Sequence, residues 1–548
     1  MERSHSDLPQ PLIGKPGKPK RRDFYYSLVL QRSSSEPNIE ELHQGIETYK
    51  HPLSASLKHN VAAPVLFELE APISFRKTLK TLIVNTLPLI LVYIANFSVR
   101  NLSLHFAKER NNTHLTNAIG IGNTLLNVVG LAVFISLNIG LISCSSQAFG
   151  AKKYKLVGFY LHRGLIINTL ALIPGCCIFY WSDKICMLMG VDPDTAFYIQ
   201  KLTFNCILGV FAMMIFNTLS AYLYSCDIFF PSSVAIVVSS IVFGILTYVL
   251  FEKTDLDILA VSISFNVMQV LSVLLIFLYI IIRKPVPGSF FLPRGPSFKG
   301  LWELFTHEFF VGSMMFLEWI SLEIIYLFAG RLGLEELGAM TIVFTNFQTL
   351  YAVPVSLADT VLAFVGNAMG ERNLPKAKSF LKAGLVWSIA SLICIELAYV
   401  FCARQIAEFY TSDEATIVET VRVFKLYLFY FPPDFIQIVL SSGIRAIGKE
   451  KLGSVMFIVC YYLISIPLAY FLCFGLELRD SGLVFGPTLG LYCLLIWLIF
   501  SYWKIDWDAQ LEVIAIRIKQ DQKAIDQEPE PVVPAVESEA ITLPDDVL

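Results

Sequence analysis

The chain has 548 residues, is 55% hydrophobic and only 16% charged, and has a mean hydropathy of +0.60. That is too apolar for an ordinary soluble domain, and a net charge of −3 without a basic stripe argues against a nucleic-acid binder. Eleven cysteines, most of them inside apolar runs, show no metal-ligand spacing such as CxxC. This argues against a zinc module or a disulfide scaffold and leaves a polytopic helical membrane protein.

Residues 1–78 are polar, with a basic cluster at Lys15, Lys18, Lys20, Arg21 and Arg22 and serines at Ser33 to Ser35. No apolar run follows Met1, so no cleaved signal peptide is expected. Twelve apolar segments of bilayer-crossing length follow, near 80–101, 118–147, 156–180, 196–223, 231–251, 258–282, 302–330, 337–367, 379–402, 420–443, 453–475 and 482–503. They lack the alternation of barrel strands. From about Ala524 the chain is acidic and punctuated by proline, and both ends read as disordered tails because they offer too little apolar surface to offset ordering.

The loops between segments alternate in charge. One set holds Lys152, Lys153, Lys155, Arg283, Lys284, Arg294, Lys299, Arg372, Lys376, Lys378, Lys382, Arg445, Lys449 and Lys451, 14 in all, against 7 in the other set. The richer set is expected to be cytoplasmic, and an even number of crossings puts both termini there too. The sequon at Asn111 falls on the opposite face.

The chain repeats itself at about 220 residues. Ser146-Gln147-Ala148-Phe149-Gly150-Ala151 ends the second segment, and Gly366-Asn367-Ala368-Met369-Gly370-Glu371 ends the eighth. Leu219-Ser220 and Leu440-Ser441 occupy matching places in the fourth and tenth segments. A shift of six helices keeps orientation, so the halves are related by an axis along the membrane normal. The expected fold is an all-α membrane protein, with twelve transmembrane helices in two pseudo-symmetric six-helix lobes around a central cleft. The divisions expected are a tail at 1–78, an N-lobe at 79–282, a proline-rich linker at 283–300, a C-lobe at 301–503 and an acidic tail at 504–548.

None of the eight histidines falls mid-membrane and no Walker A pattern occurs, so neither an enzyme nor a built-in ATPase is expected. The informative residues are acids inside apolar segments, because a charge there is costly and is kept for function. The seventh segment holds Glu318 and Glu323, which at about 100° per residue lie about 140° apart around a helix. One is expected to face the cleft and the other a packing interface. The tenth holds Pro432-Pro433-Asp434-Phe435-Ile436-Gln437, where the prolines are expected to break the helix beside Asp434. The eighth holds Pro354 and Asp359. Burial penalises the charged form of such acids, which suits them to exchanging a proton. The first half carries asparagines in place of membrane acids, among them Asn85, Asn96, Asn168, Asn205 and Asn217, read as glue between helices. Trp319, Phe347, Tyr351 and Tyr430 offer faces for a flat cation.

These residues together resemble the multidrug and toxic compound extrusion (MATE) family, eukaryotic members above all. Ser146 to Ala151 resembles its second-helix CGQAFGA, and Leu317-Glu318-Trp319 with Glu323 resembles LEWW…E. Val365 to Gly370 resembles VGNALG, and Asp434…Gln437 with Gly443…Arg445…Gly448 resembles its tenth-helix pattern. Tyr461-Tyr462…Ile466-Pro467 and Asp506-Trp507 also fit. The resemblance covers about residues 79–508. Departures are Ile142 to Ser146 in place of DTLCG, the absence of a first-helix aspartate, and Phe364 where arginine is common. Asp359 is likewise not a usual family residue.

The resemblance implies a secondary antiporter working by alternating access. It would export organic cations or other amphiphiles in exchange for H⁺, with Na⁺ used by some bacterial members. Carriage of organic anions or lipid-linked substrates is the alternative. Glu318, Glu323 and Asp434, with Asp359, are the expected coupling and substrate-binding residues. Gln147, Gly150, Asn367, Gly370, Gln437 and Pro467 are the expected motif positions. The expected partners are a small-molecule substrate, H⁺ and the lipid bilayer, with no cofactor, metal or nucleic acid. The protein is expected to be a monomer in a plasma or vacuolar membrane.

Overall fold

The computed structural model describes residues 74–109, 113–254 and 256–526. The basic cluster around Lys20, the sequon asparagine Asn111 and the acidic stretch after Asp526 lie outside the described residues. Twelve helices are long and apolar enough to cross a membrane. They are α1 (Phe75–Glu109), α2 (His114–Gly150), α3 (Tyr154–Tyr180), α4 (Ile207–Ser225), α5 (Phe230–Lys253), α6 (Ile258–Arg283), α7 (Leu301–Ala329), α8 (Leu334–Gly370), α9 (Leu374–Tyr410), α10 (Glu414–Ala446), α11 (Glu450–Gly475) and α12 (Arg479–Lys504). Among the described residues there is no strand. Helices are what lipid permits, because each backbone N–H finds its carbonyl within the same segment.

Within the first six spans, α2 packs on α3 and α4, α6 on α4 and α5, and α5 on α1. Within the second six, α10 packs on α8, α9 and α12, and α11 joins α7 to α12. The two groups meet where α2 lies against α7 and α8, and where α1 lies against α8 and α9.

A close crossing joins the repeated motifs. A Cβ on Gly150 would overlap the backbone of Asn367, and one on Gly370 would overlap the backbone of Gln147. The amide side chains reach across as well. Gln147 Nε2 donates to the Ala446 carbonyl of α10 at 2.8 Å, and Asn367 Nδ2 donates to Asp227 Oδ1, between α4 and α5, at 2.6 Å. The repeat therefore forms a reciprocal clasp at the face that carries the lysine-rich loops. The backbone at Asp227 is left-handed (φ 63°), a conformation aspartate tolerates better than most residues, and this turn aims its carboxylate at Asn367.

Five features depart from the sequence reading. The fourth apolar segment is two helices, Pro193–Asn205 and α4, interrupted at Cys206. Asn266 of α6 satisfies the break, accepting from Gly209 N and donating to Asn205 O, both at 2.7 Å. α10 runs unbroken through Pro432 and Pro433. A proline costs about 3 kcal/mol in an exposed helix interior, but here packing against α8, α9 and α12 holds the segment helical. Several of the glue asparagines turn back on their own helix, as Asn85 does to Thr81 O and Asn217 to Met213 O, both at 2.8 Å. Others bridge: Asn168 reaches Asn138 at 3.1 Å and Thr218 at 3.3 Å, and Asn123 of α2 donates to Ser103 of α1 at 3.0 Å. Arg445, counted among loop charges, is a buried residue of the last turn of α10. Finally, the segment expected as an acidic tail from 504 begins with a helix, α13 (Trp507–Asp526). Its Leu511, Ile514, Ile518 and Ile525 form a buried stripe at helical spacing, enough to order it by docking.

The linker is ordered too. His162 of α3 bonds Phe291 O at 2.8 Å and Ser297 Oγ at 3.1 Å, and Arg163 bonds Pro296 O at 3.2 Å. These contacts strap residues 289–297 to the first six spans.

Candidate functional site: a buried carboxylate cluster beside a cleft

Glu318 sits midway along α7 and is 2% exposed. Its Oε1 accepts two hydrogen bonds at 2.8 Å, from Gln437 Nε2 of α10 and from Tyr461 Oη of α11. Gln437 is fixed in turn by Ser441, whose hydroxyl donates to Gln437 Oε1 at 3.1 Å. Asp434, one turn before Gln437, is fully buried; its Oδ1 lies 3.5 Å from Gln437 Nε2. Its Oδ2 is sealed from solvent without a hydrogen-bond partner. An unpartnered carboxylate oxygen in such a place is costly as an anion, and a proton or a cation removes the cost. Glu318, Asp434 and Gln437 thus form one chain of contacts inside the second six spans.

One π-helical segment supplies part of this site. Residues 458–465 of α11 are π-helical and carry Tyr461 and Tyr462, and Tyr462 Oη donates to the Leu317 carbonyl at 3.1 Å. Residues 126–131 of α2 are π-helical as well. Such segments are rare and collect at functional sites. No residue pattern in the sequence announces either one; only the Tyr461-Tyr462 pair was a visible signal.

A cleft lies between the two groups of spans. It is lined by Phe97 of α1, by Asn127, Val128 and Ala132 of α2, by Trp319 and Glu323 of α7, and by Phe344, Phe347, Gln348 and Tyr351 of α8. The lining contains no lysine or arginine. At 1.5 Å per residue, Asn127 and Glu323 stand some 30 Å along their helices from the clasp face. The cleft therefore occupies the half of the molecule away from the basic loops. Glu318 and Glu323 divide as their angular separation requires: Glu318 faces the interior cluster, Glu323 the cleft. Tyr430 lies behind the lining, its ring 5.6 Å from that of Phe347.

Asp359 lies elsewhere. Its Oδ2 accepts from Tyr93 Oη of α1 at 2.8 Å, so it joins the two halves of the molecule. Gln147, Gly150, Asn367 and Gly370 belong to the clasp, and Pro467 lies in α11 just beyond the π-helical turn. The sequence reading did not anticipate Tyr93 or Asp227; each is marked only by its partner in space.

Twelve spanning helices in two lobes around a cleft are the architecture of a membrane transporter. The sequence profile of the MatE family matches the chain twice, over residues 88–250 and 311–471, more than half of its length. The chain belongs to the MatE family. The two matches also restate the internal repeat, since one profile fits both halves. The chain is 25% identical over 460 residues to multidrug and toxin extrusion protein 2 of Oryctolagus cuniculus, covering 83% of this chain and 76% of that protein. It is 24% identical over 448 residues to Protein DETOXIFICATION 12 of Arabidopsis thaliana, covering 80% and 92%. Among solved structures, the eukaryotic MATE transporter AtDTX14 superimposes with a TM-score of 0.76 at 24% identity, over 81% of this chain and 99% of that one. The Vibrio cholerae MATE transporter VcmN in its bent form gives 0.68 at 13% identity, over 81% and 99%.

Proposed function

We propose that the protein is a proton-coupled antiporter that exports organic cations by alternating access. The observation that carries this reading is the Glu318–Gln437–Asp434 cluster, a pair of carboxylates held out of water beside an aromatic cleft. Deprotonated, Glu318 and Asp434 attract a cation; protonated, they release it. Competition of proton and substrate for the same charge is enough to couple the two fluxes. Glu323 in the cleft wall, with Trp319 and Phe347, would receive the cation first, and a lining without basic side chains disfavours an anionic cargo. In this reading residues 79–282 and 301–503 are the lobes that rock, and the basic face is cytoplasmic. The plasma membrane or a vacuolar membrane is its place.

The test is exchange in sealed proteoliposomes. A fluorescent organic cation should move when a pH gradient is imposed, and Glu318→Gln should abolish gradient-driven movement while leaving the protein folded. Wild-type exchange in that variant would refute its role. Movement with a Na⁺ gradient alone would reassign the coupling ion.

A further inference from the structure

α13 is not a span, yet it makes the contacts of a bolt. Arg517, half-buried with its Nε sealed from solvent, donates to Gln147 Oε1 of α2. Gln147 donates in turn to the Ala446 carbonyl of α10, so one amide joins α13 to both lobes. On the side of the second lobe, Arg517 Nη1 lies 3.5 Å from His307 Nδ1 of α7, and His307 pairs with Glu450 of α11 at 3.1 Å. On the side of the first lobe, Tyr160 of α3 bonds Asp521 at 2.5 Å. Glu512 reaches Arg372, in the loop after α8, at 3.4 Å.

We infer that α13 is a latch that holds the basic face closed, with Arg517 as its positioning residue. A movement that parts the lobes at this face must break the contacts of α13 with one of them, Arg517–Gln147 and Tyr160–Asp521 on the first or Arg517–His307 and Glu512–Arg372 on the second. The connection from α12 is only residues 505–506, so the helix can undock without unfolding a span. A helix outside the spans owes most of its stability to packing of its apolar face, and α13 is held by its buried stripe. The latch rests on the reading that the lobes part at this face during transport.

Cys144 of α2, buried beside His307 and within reach of Arg517, is a native reporter of that undocking. The experiment is alkylation of the full-length protein in proteoliposomes by a membrane-impermeant maleimide present on both sides, followed peptide by peptide by mass spectrometry. Arg517→Met should raise the Cys144 rate at least tenfold. Ile518→Asp, which spoils the buried stripe without touching Arg517, should do the same. Arg517→Lys should restore part of the protection, and the exposed Val513→Ala should behave as wild type. An unchanged Cys144 rate in both Arg517→Met and Ile518→Asp overturns the latch, as does an equal rise in Val513→Ala. Because this readout needs no cargo, a protein that exchanges no cation under any gradient would sink the antiport reading while the alkylation rates still decide the latch.

Discussion

The residues that matter most are those whose charge has no water to face. Glu318 accepts hydrogen bonds at 2.8 Å from both Tyr461 and Gln437. A hydrogen bond to a charged group contributes about 1.5–3 kcal/mol. Tyr461→Phe should therefore slow gradient-driven exchange by about ten- to a hundredfold with the fold intact, measured as initial rates at saturating cation; an unchanged rate would show that the hydroxyl is idle. Asp227 is a different case, since it lies outside the spans. Burial raises its pKa from the usual 3.8 to about 7, against the opposing hydrogen bond from Asn367 and the nearby Lys376, and with help from Glu371. A carboxyl whose pKa is raised by folding binds its proton more tightly in the folded state. Its effect is therefore to weaken the fold as pH rises from about 4 through about 7. Thermal midpoints in detergent should fall over that window, and Asp227→Asn should flatten part of the fall. Parallel curves for the two proteins would remove Asp227 from the account.

At the scale of elements, the crossing of α2 and α8 decides how closely the lobes approach. Gly150 and Gly370 each face the other helix's backbone, which cannot move aside as a side chain can. Gly150→Ala should cost about 1–3 kcal/mol through overpacking, read as a lower thermal midpoint. Alanine at Gly190, where nothing lies within 4 Å but φ is +92°, should cost only the backbone strain of that turn. A midpoint for Gly150→Ala equal to wild type would mean that the crossing is looser than described. The π-helical turns in α2 and α11 belong to this scale as well. Each shifts the register of its helix by one residue, and in α11 this shift brings both Tyr461 and Tyr462 onto α7.

At the scale of the whole molecule, the basic face is shut and the cleft occupies the far half. Closure is built from three layers: the glycine crossing, the reciprocal amides of Gln147 and Asn367, and α13 over them. Asp359 and Tyr93 tie the lobes together at a fourth point. Breaking that tie with Tyr93→Phe should leave cation binding within about threefold of wild type while changing the exchange rate. Equal loss of binding and exchange would instead place Asp359 in the substrate site.

Much of this protein was legible because lipid imposes strong rules. Twelve apolar stretches had to be helices, since no other backbone satisfies itself in hydrocarbon. Acids inside them stood out because their cost demands a use. A repeat of six spans fixed the pseudo-symmetry without any coordinates. The paired prolines of α10 misled, because the packing that holds a helix through them comes from three other spans. α13 hid for the opposite reason: a short apolar stripe in a polar stretch marks a helix only when there is a surface for it to cover. Sequence by itself determined the spans, their repeat and the carboxylates at Glu318 and Asp434, because these follow from local transfer energies and spacing. Tertiary structure alone decided that Tyr461 and Gln437 hold Glu318, that Asp359 answers to Tyr93, and that Gln147 and Arg517 close the basic face. Each of those is a contact between residues more than a hundred positions apart, and no local energy encodes it.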